Sequence, residues 1–144
     1  MAYIDQATLE KYITQEELIR LTDDENLGSV NSTRLNEAIN IASNEFDNYV
    51  RDIYDITLFP TPLPDQMIQI VSDLAIYHLY KRRYRLDMPE SVVQIYNKAI
   101  EILRRIAKGE LQINLPKKTT SGFIKITKTE DDRIFSKDML DSFS

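Results

Sequence analysis

The residues of this 144-residue chain that could do chemistry fall into a few small groups. His78 is the sole histidine. General-base work needs a ring held by a partner, with a nucleophile or substrate in reach. His78 sits among Tyr77, Leu79 and Tyr80, a setting that suits a packed ring better. Asp23, Asp24 and Glu25 stand together and could attract a hard cation. An EF-hand loop, however, needs ligands on alternate positions and a distal glutamate, so a solvated acidic loop is the simpler reading. Lys81, Arg82, Arg83 and Arg85, beside Tyr80 and interleaved with Tyr84, could meet phosphates. The cluster is short and the sequence pI is about 4.9, which favours a helix-terminal charge cap or a subunit interface. Tyr77, Tyr80 and Tyr84 recur at helical spacing and are expected to pack. The three glycines, Gly28, Gly109 and Gly122, are scattered, so no glycine-rich phosphate loop is present. The absence of cysteine excludes disulfides, thiolate catalysis and thiolate metal sites. No set of side chains meets the geometric roles of an active site. The chain therefore reads as a non-enzyme with no cofactor and no metal.

The elements that would carry these groups are helical. Few glycines disfavour a β-sandwich, and 42% hydrophobic residues suffice for a core. Asp5 and Thr8 suit a short helix ending near Tyr12. Thr14 followed by Glu17 is a capping box, with Leu18, Ile19 and Leu21 behind it. Asn31 or Ser32 caps a long helix to about Tyr54, whose apolar stripe is Leu35, Ile39, Ala42, Phe46, Tyr49, Val50 and Ile53. Arg34, Glu37, Asn44, Asp47 and Arg51 fall mostly elsewhere. Pro60, Pro62 and Pro64 predict an extended linker whose last proline opens the next helix. That helix, Pro64 to about Tyr84, is apolar around much of its girth through Met67, Ile70, Val71, Leu74, Tyr77 and Leu79, widened by Ile68, Ala75 and Ile76. Such a helix is central, or buried once in the subunit and again against a neighbour. Pro89 opens a third long helix, with Val92, Val93, Ile95, Tyr96, Ala99, Ile100, Leu103 and Ile106 facing inward and Gly109 ending it. No internal repeat is present.

This predicts an all-α fold: a compact bundle of three long helices with short N-terminal helices over residues 1–116, and an extended C-terminal tail over 117–144. Phe123 to Lys128 alternates as a short edge strand would. The tail's apolar residues, Phe123, Ile124, Ile126, Ile134, Phe135, Met139, Leu140 and Phe143, with Arg133 among them, suggest either a docking peptide for a partner or a segment folded back on its own helices. Residues 1–55 hold 12 acidic and 4 basic side chains, and 56–144 hold 11 and 14. That polarity suits head-to-side packing of copies, although ordinary solvated faces also produce it. Met1 to Tyr12 lacks the basic start and apolar run of a secretory leader, and Met67 to Tyr80 is too short and too interrupted by Asp73 to span a membrane.

Five stretches, in order and near these spacings, resemble the small head–tail connector (adaptor, or head-completion) proteins of Mu-like phages and prophages. They are YITQEELIRLTDD (Tyr12 to Asp24), AINIASNEFDNY (Ala38 to Tyr49), DLAIYHLYKRR (Asp73 to Arg83), YNKAIEILRRIAKG (Tyr96 to Gly109) and DRIFSKDMLDSF (Asp132 to Phe143). Departures occur at Lys11-Tyr12-Ile13 and at Arg51 to Tyr54, where the family often carries glycine-containing stretches.

The resemblance implies a virion subunit, assembled in the host cytoplasm, that forms a homo-oligomeric ring of about twelve copies closed by a heterologous interface. The ring would lie beneath the portal protein, extend the DNA channel without sequence-specific binding, and meet a downstream neck or tail protein. It implies a C-terminal segment that engages a neighbour or the portal. Asp23, Asp24 and Glu25 would then face the lumen, where like charge keeps DNA sliding, and Tyr80 to Arg85 would form a subunit interface. The alternatives are a neck stopper or tail-completion protein of the same virion, and a small helical nucleic-acid-binding regulator using Lys81 to Arg85.

Overall fold

A computed structural model describes residues 2–83 and 88–119. Five α-helices form among them: α1 (Gln6–Leu9), α2 (Gln15–Thr22), α3 (Ser32–Val50), α4 (Asp65–Lys81) and α5 (Glu90–Ala107), with a 3₁₀ turn at Ile56–Leu58. The all-α architecture expected from the sequence is the one observed. The edge strand expected at Phe123 to Lys128 lies outside the described residues.

The starts follow local chemistry. Asp5 caps α1 by accepting from the Thr8 N–H at 2.9 Å, Thr14 caps α2 through Glu17 N–H at 3.1 Å, and Asn31 caps α3 through Arg34 N–H at 3.0 Å. α4 and α5 begin alike, each behind a proline (Pro64, Pro89) with an acid (Asp65, Glu90) as its first helical residue. Proline gives up no needed donor there, and the acid meets the positive end of the helix dipole. α5 stops in a Schellman motif. Gly109 takes φ +79°, its N–H reaches Ile106 O at 3.0 Å, and Glu110 N–H reaches Arg105 O at 2.9 Å.

α4 is the hub, touching α1, α2, α3 and α5. Met67, Ile70, Val71, Leu74, Ala75, Leu79 and Tyr80 are buried along it. α3 gives Leu35, Ile39, Ala42, Phe46 and Val50, and α5 gives Ala99, Ile100, Leu103 and Ile106. Leu9, Leu18 and Leu21 seal one end from α1 and α2. Phe46 is enclosed by Tyr3, edge-on at 5.7 Å, and Phe59 at 6.4 Å.

Three expectations need correction. α4 ends at Lys81 rather than near Tyr84, because Arg82 and Arg83 turn off to reach the end of α2. α3 ends at Val50 rather than near Tyr54. The chain turns there because Tyr54 is itself a core residue, buried and accepting Ile113 N–H on its hydroxyl at 3.0 Å. Asp47, read as lying off the packed stripe, is buried because Tyr3 folds over it and donates its hydroxyl to the carboxylate. Beyond α5 the chain returns to this corner. Pro116 O accepts Asp55 N–H and Lys118 N–H donates to Ile53 O, both at 2.9 Å, with an antiparallel bridge between Tyr54 and Lys117. Attachment to the helical body thus continues two residues past Pro116.

Phe46→Ala should cost about 3–5 kcal/mol in urea denaturation, because a fully enclosed aromatic leaves a cavity. Ile41→Ala on the outer face of α3, where Ile41 is 51% exposed, should stay within about 0.5 kcal/mol. Equal losses would contradict this core.

Candidate functional site

The acidic loop and the basic run, separate in sequence, meet at the C-terminus of α2. The last carbonyls of a helix lack intrahelical donors and carry its negative dipole end. Arginines from two other elements reach them. Arg83 donates to Arg20 O at 3.1 Å, Arg82 to Leu21 O at 2.8 Å, and Arg34 of α3 to Thr22 O at 3.1 Å. The same guanidiniums then take the acids beyond the helix end. Asp24 receives Arg82 at 2.8 and 3.2 Å and Arg83 at 2.9 Å, with Arg34 at 3.5 Å. Glu25 and Arg34 form a two-pronged pair at 2.7 and 2.6 Å. The run at the end of α4 thus caps a different helix from its own.

The hydrogen bond from Arg82 holds the Asp24 carboxyl below the usual carboxylate range, and that from Arg34 does the same for Glu25. The bond to Glu25 raises Arg34 in turn. Asp23 faces its own loop, accepting Leu27 N–H at 2.8 Å and Gly28 N–H at 2.7 Å. Asn26 (φ +61°) and Gly28 (φ +83°) bend the chain to allow it. Asp23, Asp24 and Glu25 are therefore internally committed, as are Arg82 and Arg83. Tyr80 is buried and donates to Glu17, with Arg20 over its ring at 5.8 Å. Lys81 is exposed. Arg85 lies outside the described residues, as do Phe123, Ile124, Ile126, Arg133, Ile134, Phe135, Met139, Leu140 and Phe143.

His78 is a tie between helices. Its Nε2 lies 2.9 Å from one oxygen of Glu45, and the other oxygen accepts the Tyr96 hydroxyl at 2.7 Å. Tyr96 also stacks on Tyr77, with ring centroids 3.8 Å apart. Burial works against the Glu45 charge, yet the His78 and Tyr96 bonds hold its pKa below the ordinary value. Both carboxylate oxygens are occupied by partners from α4 and α5, which suits positioning of helices more than proton transfer to a substrate. Among the described residues no group of three or more His, Asp or Glu is placed to hold a metal ion, and no helix is long and apolar enough to cross a membrane.

The sequence did not single out a groove of about 750 Å³ between α4 and α5. Ile76, Ile95 and Ile102 line it, together with Tyr12 and Leu111 to Ile113. Ile95 is 48% and Tyr12 44% exposed. Asp73 and Lys98 are the charged groups in its lining. Burial raises the Asp73 pKa to about 6. The available signal was the girth of the apolar surface on α4; Ile95, expected to face inward with Ala99, Leu103 and Ile106, opens to the groove instead.

Two pH-dependent outcomes follow. Asp24 has a depressed folded-state pKa, so its contribution is present above the unfolded carboxylate pKa and is lost as acid titrates the folded group. Asp24→Asn should cost about 1 kcal/mol at neutral pH, allowing for solvent screening, and the gap should close in acid. Asp73 has the opposite sign. Its proton stabilises the fold below the unfolded pKa, and that benefit disappears as the pH rises through about 6. Asp73→Asn should therefore gain about 1 kcal/mol at pH 8 after the same discount, with no gain at pH 4. Urea titrations at these pH values check both.

A family model described as bacteriophage Mu, Gp36 matches residues 3–123, most of the chain. No curated protein matches it.

Proposed function

The chain belongs to the bacteriophage Mu Gp36 family, and from that premise we propose that it is a head–tail connector subunit of a phage or prophage particle. It would form a ring beneath the portal, extend the DNA channel and receive the next neck or tail component. The observation that carries the reading is the family match over residues 3–123, in a chain whose five quoted stretches keep connector order and end at Phe143. The packing supports it. The body is stiffened by ties between helices, and it leaves an apolar groove on one side. A subunit that must close a ring by a repeated heterologous contact needs a rigid body and an unsatisfied surface.

The internal arginine pairs refine the expectation about charge. Asp24 and Glu25 are neutralised by Arg34, Arg82 and Arg83. A negative lumen would draw on the rest of the acidic N-terminal half, such as the exposed Glu16, Glu37 and Asp52. The same pairing leaves Arg82 and Arg83 poorly disposed toward phosphates, which weighs against the DNA-binding regulator.

Purified protein mixed with purified portal rings and imaged by electron microscopy should show a second ring stacked coaxially on the portal. A chain ended after Thr119 should keep its helical circular dichroism yet fail to stack stably. The cut falls there because Lys117 and Lys118 hold the Tyr54 corner. Binding to tail tubes in place of portals would transfer the protein to the tail-completion role.

A further inference from the structure

We propose that the α4–α5 groove seats this chain's own C-terminal segment, Asp132 to Phe143, in cis in the free subunit. The groove wall of Ile76, Ile95 and Ile102 is apolar and open to water, an arrangement a monomer keeps only at a cost or for a partner. The segment has the matching deficit. Ile134, Phe135, Met139, Leu140 and Phe143 lie within ten positions, with no glycine or proline among them. On a helical wheel Phe135, Met139, Leu140 and Phe143 share a sector of about 140°, with Ile134 outside it.

The path of the chain favours the same molecule over a second copy. After Gly109 it lines the groove at Leu111 to Ile113 and then attaches at Lys117 and Lys118 to Tyr54 and Ile53, just past α3. From Thr119 to Ile134 an extended chain can reach on the order of 50 Å, against a radius of gyration of about 14 Å for a body of this size. The groove is therefore within reach. Tethering sets an effective concentration in the millimolar range for flexible links, so a weak apolar contact is satisfied within the chain before it is satisfied between chains. The charges are compatible. The segment offers Arg133 and Lys137 for Asp73, and Asp138 and Asp141 for Lys98.

Seating the tail there covers the groove and the tail's apolar residues together, so an unassembled subunit shows neither to other copies. The contact itself does not depend on the connector reading. It is measured on the isolated protein, and its failure would leave stacking on portals untouched.

The absence of cysteine makes the test direct. Ser144→Cys, outside that apolar sector, carries a nitroxide on the full-length protein, and the isoleucine methyl groups are isotope-labelled for NMR. The Ile95 and Ile102 methyl signals should lose most of their intensity relative to the reduced, diamagnetic sample. Adding Phe135→Asp and Leu140→Asp should restore them. When labelled protein without nitroxide is mixed with unlabelled nitroxide protein, both signals should be unaffected. Unchanged Ile95 and Ile102 intensities in the first sample would overturn the proposal, as would broadening that survives the double substitution. Broadening in the mixed sample would assign the groove to a second copy instead.

Discussion

The fold is organised by the need to cover α4. A helix apolar over most of its circumference cannot rest on one neighbour, because each uncovered sector leaves hydrocarbon in water. α3 and α5 take two sectors through Phe46, Ile39, Ile100 and Leu103, and α1 and α2 take a third through Leu9, Leu18 and Leu21. The N-terminal helices are short because they need only close this sector. What remains is the strip containing Ile76 and Asp73. The groove is thus the residue of a packing problem that the described part of the chain solves on three sides.

Apolar coverage sets how close the helices lie but is permissive about register. Register is fixed by one repeated device, a tyrosine hydroxyl donated to a carboxylate on another element. Tyr3 joins the N-terminal segment to Asp47 on α3, Tyr80 joins α4 to Glu17 on α2, and Tyr96 joins α5 to Glu45 on α3. Burial, then the adjacent carboxylate, raises the pKa of each tyrosine, which keeps the hydroxyl a donor. A helix slipped by one turn would strand a partly buried carboxylate, a far larger penalty than a changed hydrocarbon contact. The result is a body suited to rigid stacking.

What was legible in the sequence divides along the same line. Local chemistry was readable: the Thr14 box, the Asn31 cap, the prolines before α4 and α5, and Gly109 are each decided within a few residues. The buried stripes of α3, α4 and α5 followed from periodicity. The tertiary pairing of polar groups was not readable. Arg82 and Asp24 lie 58 residues apart, and nothing local to KRR or DDE says that one cluster neutralises the other. Asp47 looked like a surface acid because the residue that covers it, Tyr3, lies 44 positions earlier in the chain. The groove was hidden for a related reason, since an isoleucine such as Ile95 reads as core until the neighbouring helix proves too far around to cover it.

The arginine knot has an uneven architecture that bears on how this sequence can drift. Three guanidiniums converge on the single carboxylate of Asp24, while each also holds a carbonyl at the end of α2. Loss of any one arginine leaves that acid with two partners. Loss of the acid leaves Arg82 and Arg83 side by side without a carboxylate, while Arg34 keeps Glu25. Arg82 and Arg83 are mutually redundant at Asp24 and the acid is not, so such losses combine non-additively. Divergence in this lineage should therefore pass through Arg82 or Arg83 one at a time, with Asp24 as the fixed point around which they are exchanged and Arg34 tied separately to Glu25.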